Sequence, residues 1–144
     1  MKRLQLHENK LTGPVPTLIG KLMNLETLFL HDNQLFGTVP QELGNLVNLT
    51  ALILDMNYFT GSLPQNIYQG RLFQQFTASH NQFSGQIPKS LQNCSGLLRL
   101  QLKGNKLSRN MSEDFGAYPR LNFIDLGHNN FLVKSQATGQ VGQS

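Results

Sequence analysis

Histidines stand at His7, His31, His80 and His128, and aspartates at Asp32, Asp55 and Asp125. A metal site needs such groups converging at short range, and acid–base catalysis needs a pair held in a cleft. The spacing predicts neither. His7 and His31 read as neighbours on two adjacent strands, and His80 and His128 are separated by an intervening segment that carries no histidine at the same place. The one cysteine, Cys94, falls where Leu22 and Leu46 fall earlier in the chain, so a buried and unreactive thiol is expected.

Asparagine has the regular spacing. Asn9, Asn33, Asn57, Asn81, Asn105 and Asn129 follow one another at 24 residues. A fixed period of this length means stacked repeats. The apolar residues keep the period in columns. Leu4, Leu28, Leu52, Phe76, Leu100 and Ile124 form one; Leu6, Leu30, Leu54, Ala78, Leu102 and Leu126 form the next. Leu11, Leu35, Phe59, Phe83, Leu107 and Phe131 form a third. The L-x-L alternation predicts a short strand with every second side chain inward. One unit cannot enclose its own apolar face, so stacked units must share a core. The recurring asparagine, with an amide that both donates and accepts, is expected to form a ladder bonding backbone groups of its own and the adjacent turn.

A second block follows each asparagine: LTGPVP at 11–16, LFGTVP at 35–40, FTGSLP at 59–64 and FSGQIP at 83–88. Its glycines suit a backbone turn closed to residues with a Cβ, and its prolines suit an extended or edge segment. A short helical turn should follow. The fifth unit has Arg109 in place of the glycine and Ser112 in place of the proline, which predicts an altered turn there.

L-x-x-L-x-L-x-x-N-x-L followed by L-T-G-x-[IV]-P resembles the plant-type leucine-rich repeats, over about residues 1–132. The stretch RNMSEDFGAYPRLNFIDLGHNNF at 109–131 is similar to ectodomains of plant leucine-rich-repeat receptor-like kinases, in particular the branch of the male-discoverer-interacting receptor kinases. The fold expected is an α/β, β-rich solenoid. It would be a right-handed coil of about six 24-residue turns, with a parallel sheet on the concave face and short 3-10 or α turns on the convex face. Residues 1–132 would form the solenoid, lacking both of the cysteine-containing caps usual in the family, and 133–144 a polar, disordered tail. The receptor resemblance carries no kinase activity to this chain, because the Gly-rich loop, H-R-D and D-F-G motifs do not occur in it. No enzyme activity, cofactor or metal is expected.

The formal charge of +4 comes from basic residues scattered along the chain, which argues against a nucleic-acid partner. No apolar run approaches the roughly 20 residues of a membrane helix, and no secretory leader precedes the repeats. Leu4 and Leu6 would lie at an uncovered edge. These features lead us to expect a fragment, a truncated paralogue or an incomplete gene model; the resemblance places the family's ectodomains on the outer face of the plasma membrane.

Solenoids commonly recognise partners through the concave sheet face. The residues expected there as a partner-binding set are Phe29, His31, Ile53, Asp55, Met56, Gln75, Thr77, Gln101 and Lys103. Phe29, Ile53 and Met56 would form an apolar spot, and Arg99, Lys103 and Lys106 would favour an acidic ligand group. The partner expected is a peptide or protein, including a co-receptor ectodomain. Three N-glycosylation sequons, at Asn48, Asn93 and Asn110, avoid the ladder and fall at positions expected to be exposed. A rival reading is a secreted inhibitor resembling the plant polygalacturonase inhibitors, which share the repeat but carry a leader and capping cysteines. A third reading is a fragment without independent function.

Overall fold

The structure is a computed structural model, and it describes residues 1–69, 72–110 and 118–132. Among the described residues each repeat contributes two short strands and, in four cases, a 3-10 helix. The first strand of each unit is β1 (Arg3–Gln5), β3 (Thr27–Phe29), β5 (Ala51–Ile53), β7 (Gln75–Thr77), β9 (Arg99–Gln101) and β11 (Phe123–Asp125). They make one parallel six-stranded sheet in that order. Its register carries the repeat directly: Leu4 pairs Leu28, Leu28 pairs Leu52, and Leu52 pairs Phe76.

The second strands are β2 (Thr12–Gly13), β4 (Gln34–Gly37), β6 (Tyr58–Gly61), β8 (Gln82–Gly85), β10 (Lys106–Asn110) and β12 (Asn130–Leu132). They form a second parallel six-stranded sheet, which the repeat pattern did not announce. Four of its strands end on the glycine of the second block, where φ is +91° at Gly13, +81° at Gly37, +77° at Gly61 and +82° at Gly85. A residue with a Cβ is strained there. Where Arg109 replaces the glycine, β10 runs one residue further, to Asn110, and pairs with β12. The turn beyond it, with Ser112, lies outside the described residues, as does the expected tail at 133–144.

The prolines do what their chemistry allows. Pro16, Pro40 and Pro88 each precede a 3-10 helix with extended ψ, and their carbonyls accept its first backbone bond, from Ile19, Leu43 and Leu91. Those helices are Thr17–Lys21, Gln41–Asn45 and Lys89–Asn93; a shorter one spans Ile67–Gln69.

The core lies between the sheets and helices and runs unbroken along the stack. Leu28, Leu52, Phe76 and Leu100 are fully buried, as are Phe59, Phe83 and Leu107 in the third column. Cys94 sits in this core, its Sγ 3.6 Å from the Phe73 carbonyl, and burial pushes its thiol pKa up, as an unreactive thiol requires. The outer units bury less. Leu6 and Leu11 are about 37% and 39% exposed and border an apolar cleft of about 420 Å³ with Leu4, Val15 and Leu22; Ile124 is 36% exposed at the other end.

The asparagine ladder forms as expected. The amide of Asn57 donates to the carbonyls of Leu54 and Asp55 in its own unit and of Leu30 in the preceding one. Its Oδ1 accepts the Leu35 N–H at 3.0 Å. Asn33, Asn81, Asn105 and Asn129 repeat this set. Asn9, in the first unit, is exposed, and its amide donates to the Leu6 and His7 carbonyls of its own unit.

The third unit departs from the pattern. Tyr68 stands where Gly20 and Gly44 stand, and Gly70 where Leu22 and Leu46 stand. The Tyr68 ring turns into the core against Phe73 and Phe76, at 5.5 and 5.9 Å between centroids. A large residue has moved two positions along the chain. Its hydroxyl is buried and finds no hydrogen-bond partner among the described residues.

These contacts set the stability of three variants. Asn57→Leu leaves the Leu35 N–H without its partner and takes one of two donors from each of the Leu30, Leu54 and Asp55 carbonyls, and should cost about 2–3 kcal/mol in urea unfolding. Tyr68→Phe removes an unpaired buried hydroxyl and should match or exceed the native stability by up to about 1 kcal/mol. Tyr68→Ala, which empties the space the ring fills, should lose about 3–5 kcal/mol.

Candidate recognition face

The side chains that alternate outward from the first sheet build the candidate site. On β3 the pattern is half-buried, buried, half-buried for Thr27, Leu28 and Phe29, so Leu28 faces the core and Phe29 faces out. Phe29 pairs with Gln5 on one side and Ile53 on the other. Phe29 and Ile53 are therefore adjacent apolar groups on the open face, as the sequence predicted.

Aromatic rings extend this spot. His7 and His31 stack at 4.5 Å and 11°. Phe29 meets both edge-on, at 5.9 Å from each. The Nδ1 atoms of both histidines are buried without a hydrogen-bond partner. The three rings span two repeat units and form one half-exposed shelf.

Beyond the strands, a run of bonds keeps the next columns in step. The N–H groups of Glu8, Asp32, Met56 and His80 donate to the carbonyls of His31, Asp55, Ser79 and Lys103 in the following unit. His7, His31, Asp55, Ser79 and Lys103 thus form one column across five strands. Asp55 is half-buried. Its Oδ1 accepts the Ser79 N–H at 3.2 Å, and the Thr77 side chain also bonds it. Burial pushes the Asp55 carboxyl above its usual range, against those hydrogen bonds and the nearby His31 and His80. Among the described residues the one ion pair is Lys2–Glu26, exposed at 3.9 Å, so Asp55 has no cation held against it.

Two of the expected partner residues stand differently. Met56 is not on the sheet: β5 ends at Ile53, and Met56 has φ +59°. It sits on the rim, about half exposed, and lines a cleft of about 360 Å³ with Asp32, Tyr58 and His80. Glu8, Asp32, His80 and His128 share this left-handed conformation, and so does Gly104. The sequence signal for it was a column that mixes Asp, His and Gly, residues that tolerate this geometry. Thr77 is the second correction. It is 3% exposed, because it leans on Asp55 between its neighbours, and it presents almost nothing to a partner.

Gln75, Gln101 and Lys103 are half-buried on the face. Arg99 is engaged: its guanidinium lies 4.6 Å over the Phe123 ring and donates to Gln101 at 3.4 Å. Of the sequons, Asn48 is exposed just beyond the helix Gln41–Asn45, Asn93 is exposed at the end of Lys89–Asn93, and the Asn110 side chain lies outside the described residues. No group of three or more potential metal ligands occurs among the described residues, and none of their helices is long and apolar enough to cross a membrane.

This geometry has known counterparts. The Leucine Rich Repeat family model matches residues 24–46 and 73–94. The plant peptide hormone receptor RGFR1, in complex with RGF2, superposes with a TM-score of 0.87 at 34% identity over 91% of this chain. The fold is that of a leucine-rich-repeat solenoid, similar to plant receptor-kinase ectodomains. The ectodomain of the Arabidopsis receptor kinase HAESA, in complex with an extended IDA peptide hormone, gives 0.83 at 30% identity over 91% of the chain. The ectodomain of the Arabidopsis thaliana receptor kinase SOBIR1 gives 0.79 at 28% identity over 90% of the chain. This chain spans 21% of the RGFR1 chain, 22% of HAESA and 73% of SOBIR1. No curated protein matches it by sequence.

The Asp55 environment makes a pH prediction. The folded chain holds this proton more tightly than the unfolded chain, so the group's contribution to stability is best at low pH and declines as pH rises above 3.8. Asp55→Asn should therefore be more stable than the native chain at pH 7. Melts across a pH series should show that advantage vanishing as the pH falls below 3.8.

Proposed function

We propose that the chain is a non-catalytic recognition module that binds an extended peptide or a protein segment on the outer face of its first sheet. The observation that carries this reading is the Phe29–Ile53 pair joined to the His7–His31 stack, an apolar and aromatic patch on the first sheet. Contiguous exposed apolar surface on a rigid element commonly marks an interface. RGFR1 and HAESA, named with the peptide hormones they hold, support the choice of a peptide. A further Arabidopsis structure joins HAESA, its peptide and the co-receptor SERK1, which supports a second protein as an additional partner. The same likeness favours an extracellular setting, at the outer face of a plant plasma membrane.

Such a face draws affinity from a few anchors and not from total area. The test is selection of peptides from a random library against the purified chain. Phe29→Ala and Ile53→Ala should each weaken a selected ligand about tenfold, roughly 1–2 kcal/mol, while Met56→Ala on the rim should matter less. Ligands indifferent to Phe29 and Ile53 would move the interface elsewhere.

A further inference from the structure

The face is not uniform along the stack. One column reads His7, His31, Asp55, Ser79 and Lys103, and the carbonyl bonds described above hold its members in step. It presents two stacked rings, then an anion, then a small hydroxyl, then a cation. Phe29 completes the ring end. Ser79 is buried, so nothing bulky stands between Asp55 and Lys103.

We propose that this column reads a ligand order: a ring side chain, then a cation, then a carboxylate, on one extended peptide laid across the strands. The inference rests on the recognition reading above and specifies the ligand class.

Each residue type follows from a complementarity. Stacked imidazoles edged by a phenyl ring accept another flat ring at low ordering cost. Asp55 has hydrogen bonds and two nearby histidines, yet burial still pushes its carboxyl up, and among the described residues no side chain forms an ion pair with it. An ammonium or guanidinium placed there supplies the missing charge in a partly desolvated setting. Lys103 is half-buried on the same line and offers the opposite sign to the next part of the ligand.

The spacing follows from two pitches. Parallel strands lie about 4.8 Å apart, and an extended chain advances about 3.3 Å per residue. From the middle of the histidine pair to Asp55 is roughly one and a half strands, or about two peptide residues. From Asp55 to Lys103 is two strands, or about three residues. The ligand order is then ring, one spacer, cation, two spacers, carboxylate; strict alternation would turn the carboxylate away, so the two spacers must be glycines that let the chain twist it back to the face. Neither pitch alone would pick this pattern; it comes from the mismatch between them.

Two capped peptides test it, displayed at high density on a sensor surface because single short peptides bind weakly. One is Phe-Gly-Lys-Gly-Gly-Asp and the other exchanges its charges, Phe-Gly-Asp-Gly-Gly-Lys. The native chain should bind the first at least tenfold more tightly. Asp55→Lys combined with Lys103→Asp should invert that preference. Should the double variant fail to fold, Asp55→Asn with Lys103→Gln must abolish the discrimination while retaining native circular dichroism. Equal binding of the two peptides by the native chain, or no binding of either, overturns the proposed order. A library-selected ligand that still depends on Phe29 would then leave the recognition reading standing without this pattern.

Discussion

One amide, shared between neighbouring repeats, sets the geometry of everything else. Each ladder asparagine donates to the backbone of its own unit and of the one before, and its Oδ1 takes an N–H from the start of a second-sheet strand. The first sheet, the turn and the second sheet of adjacent units are tied through that side chain. Buried polar groups must be paired, and here the pairing also fixes pitch and register. Asn33, Asn57, Asn81 and Asn105 are buried; Asn9, in the first unit, is exposed and its amide bonds within that unit. The ladder and the burial of leucines thus weaken together at the outer units, as expected for a stack whose stability comes from nearest neighbours.

Within that frame the core tolerates exchange of volume. In the fourth unit Phe76 replaces a leucine of the first column, and Ala78 replaces the leucine two residues on. Both are fully buried, so a larger and a smaller group fill one layer between them. Tyr68 makes a similar exchange in the preceding helix, except that it brings an unpaired hydroxyl with it. Volume-conserving changes of this kind keep packing density while leaving the backbone path alone. The consequence for the face is that Phe29, Ile53 and Thr77 hold the same register although the layers beneath them differ.

The parts of the fold legible in the sequence were those with a period. The columns through Leu28 and Leu30, the asparagine ladder, the left-handed glycines and the buried Cys94 all follow from position within 24 residues. The second sheet was not legible. Its strands are two to five residues long, and four of them end at glycine, too short for alternation to show. For the face, periodicity placed Phe29, Ile53, Asp55 and Lys103 outward. It did not place Met56, because the left-handed turn carries that residue off the sheet onto the rim. It did not foresee the burial of Thr77, which depends on how its particular neighbour, Asp55, uses its hydroxyl. Column position gives a side chain's direction; its exposure depends on which residues flank it.

The most direct test of a stack held by shared amides is native-state hydrogen exchange of the backbone groups that donate to the asparagines. The N–H groups of Leu35, Phe59 and Phe83, bonded to Asn57, Asn81 and Asn105, should belong to the slowest-exchanging class, opening only with global unfolding. Those of Leu11 and Leu107, bonded to Asn33 and Asn129 in the outer units, should exchange faster. Exchange of the Leu35, Phe59 and Phe83 amides at the rate of unprotected backbone would contradict the account.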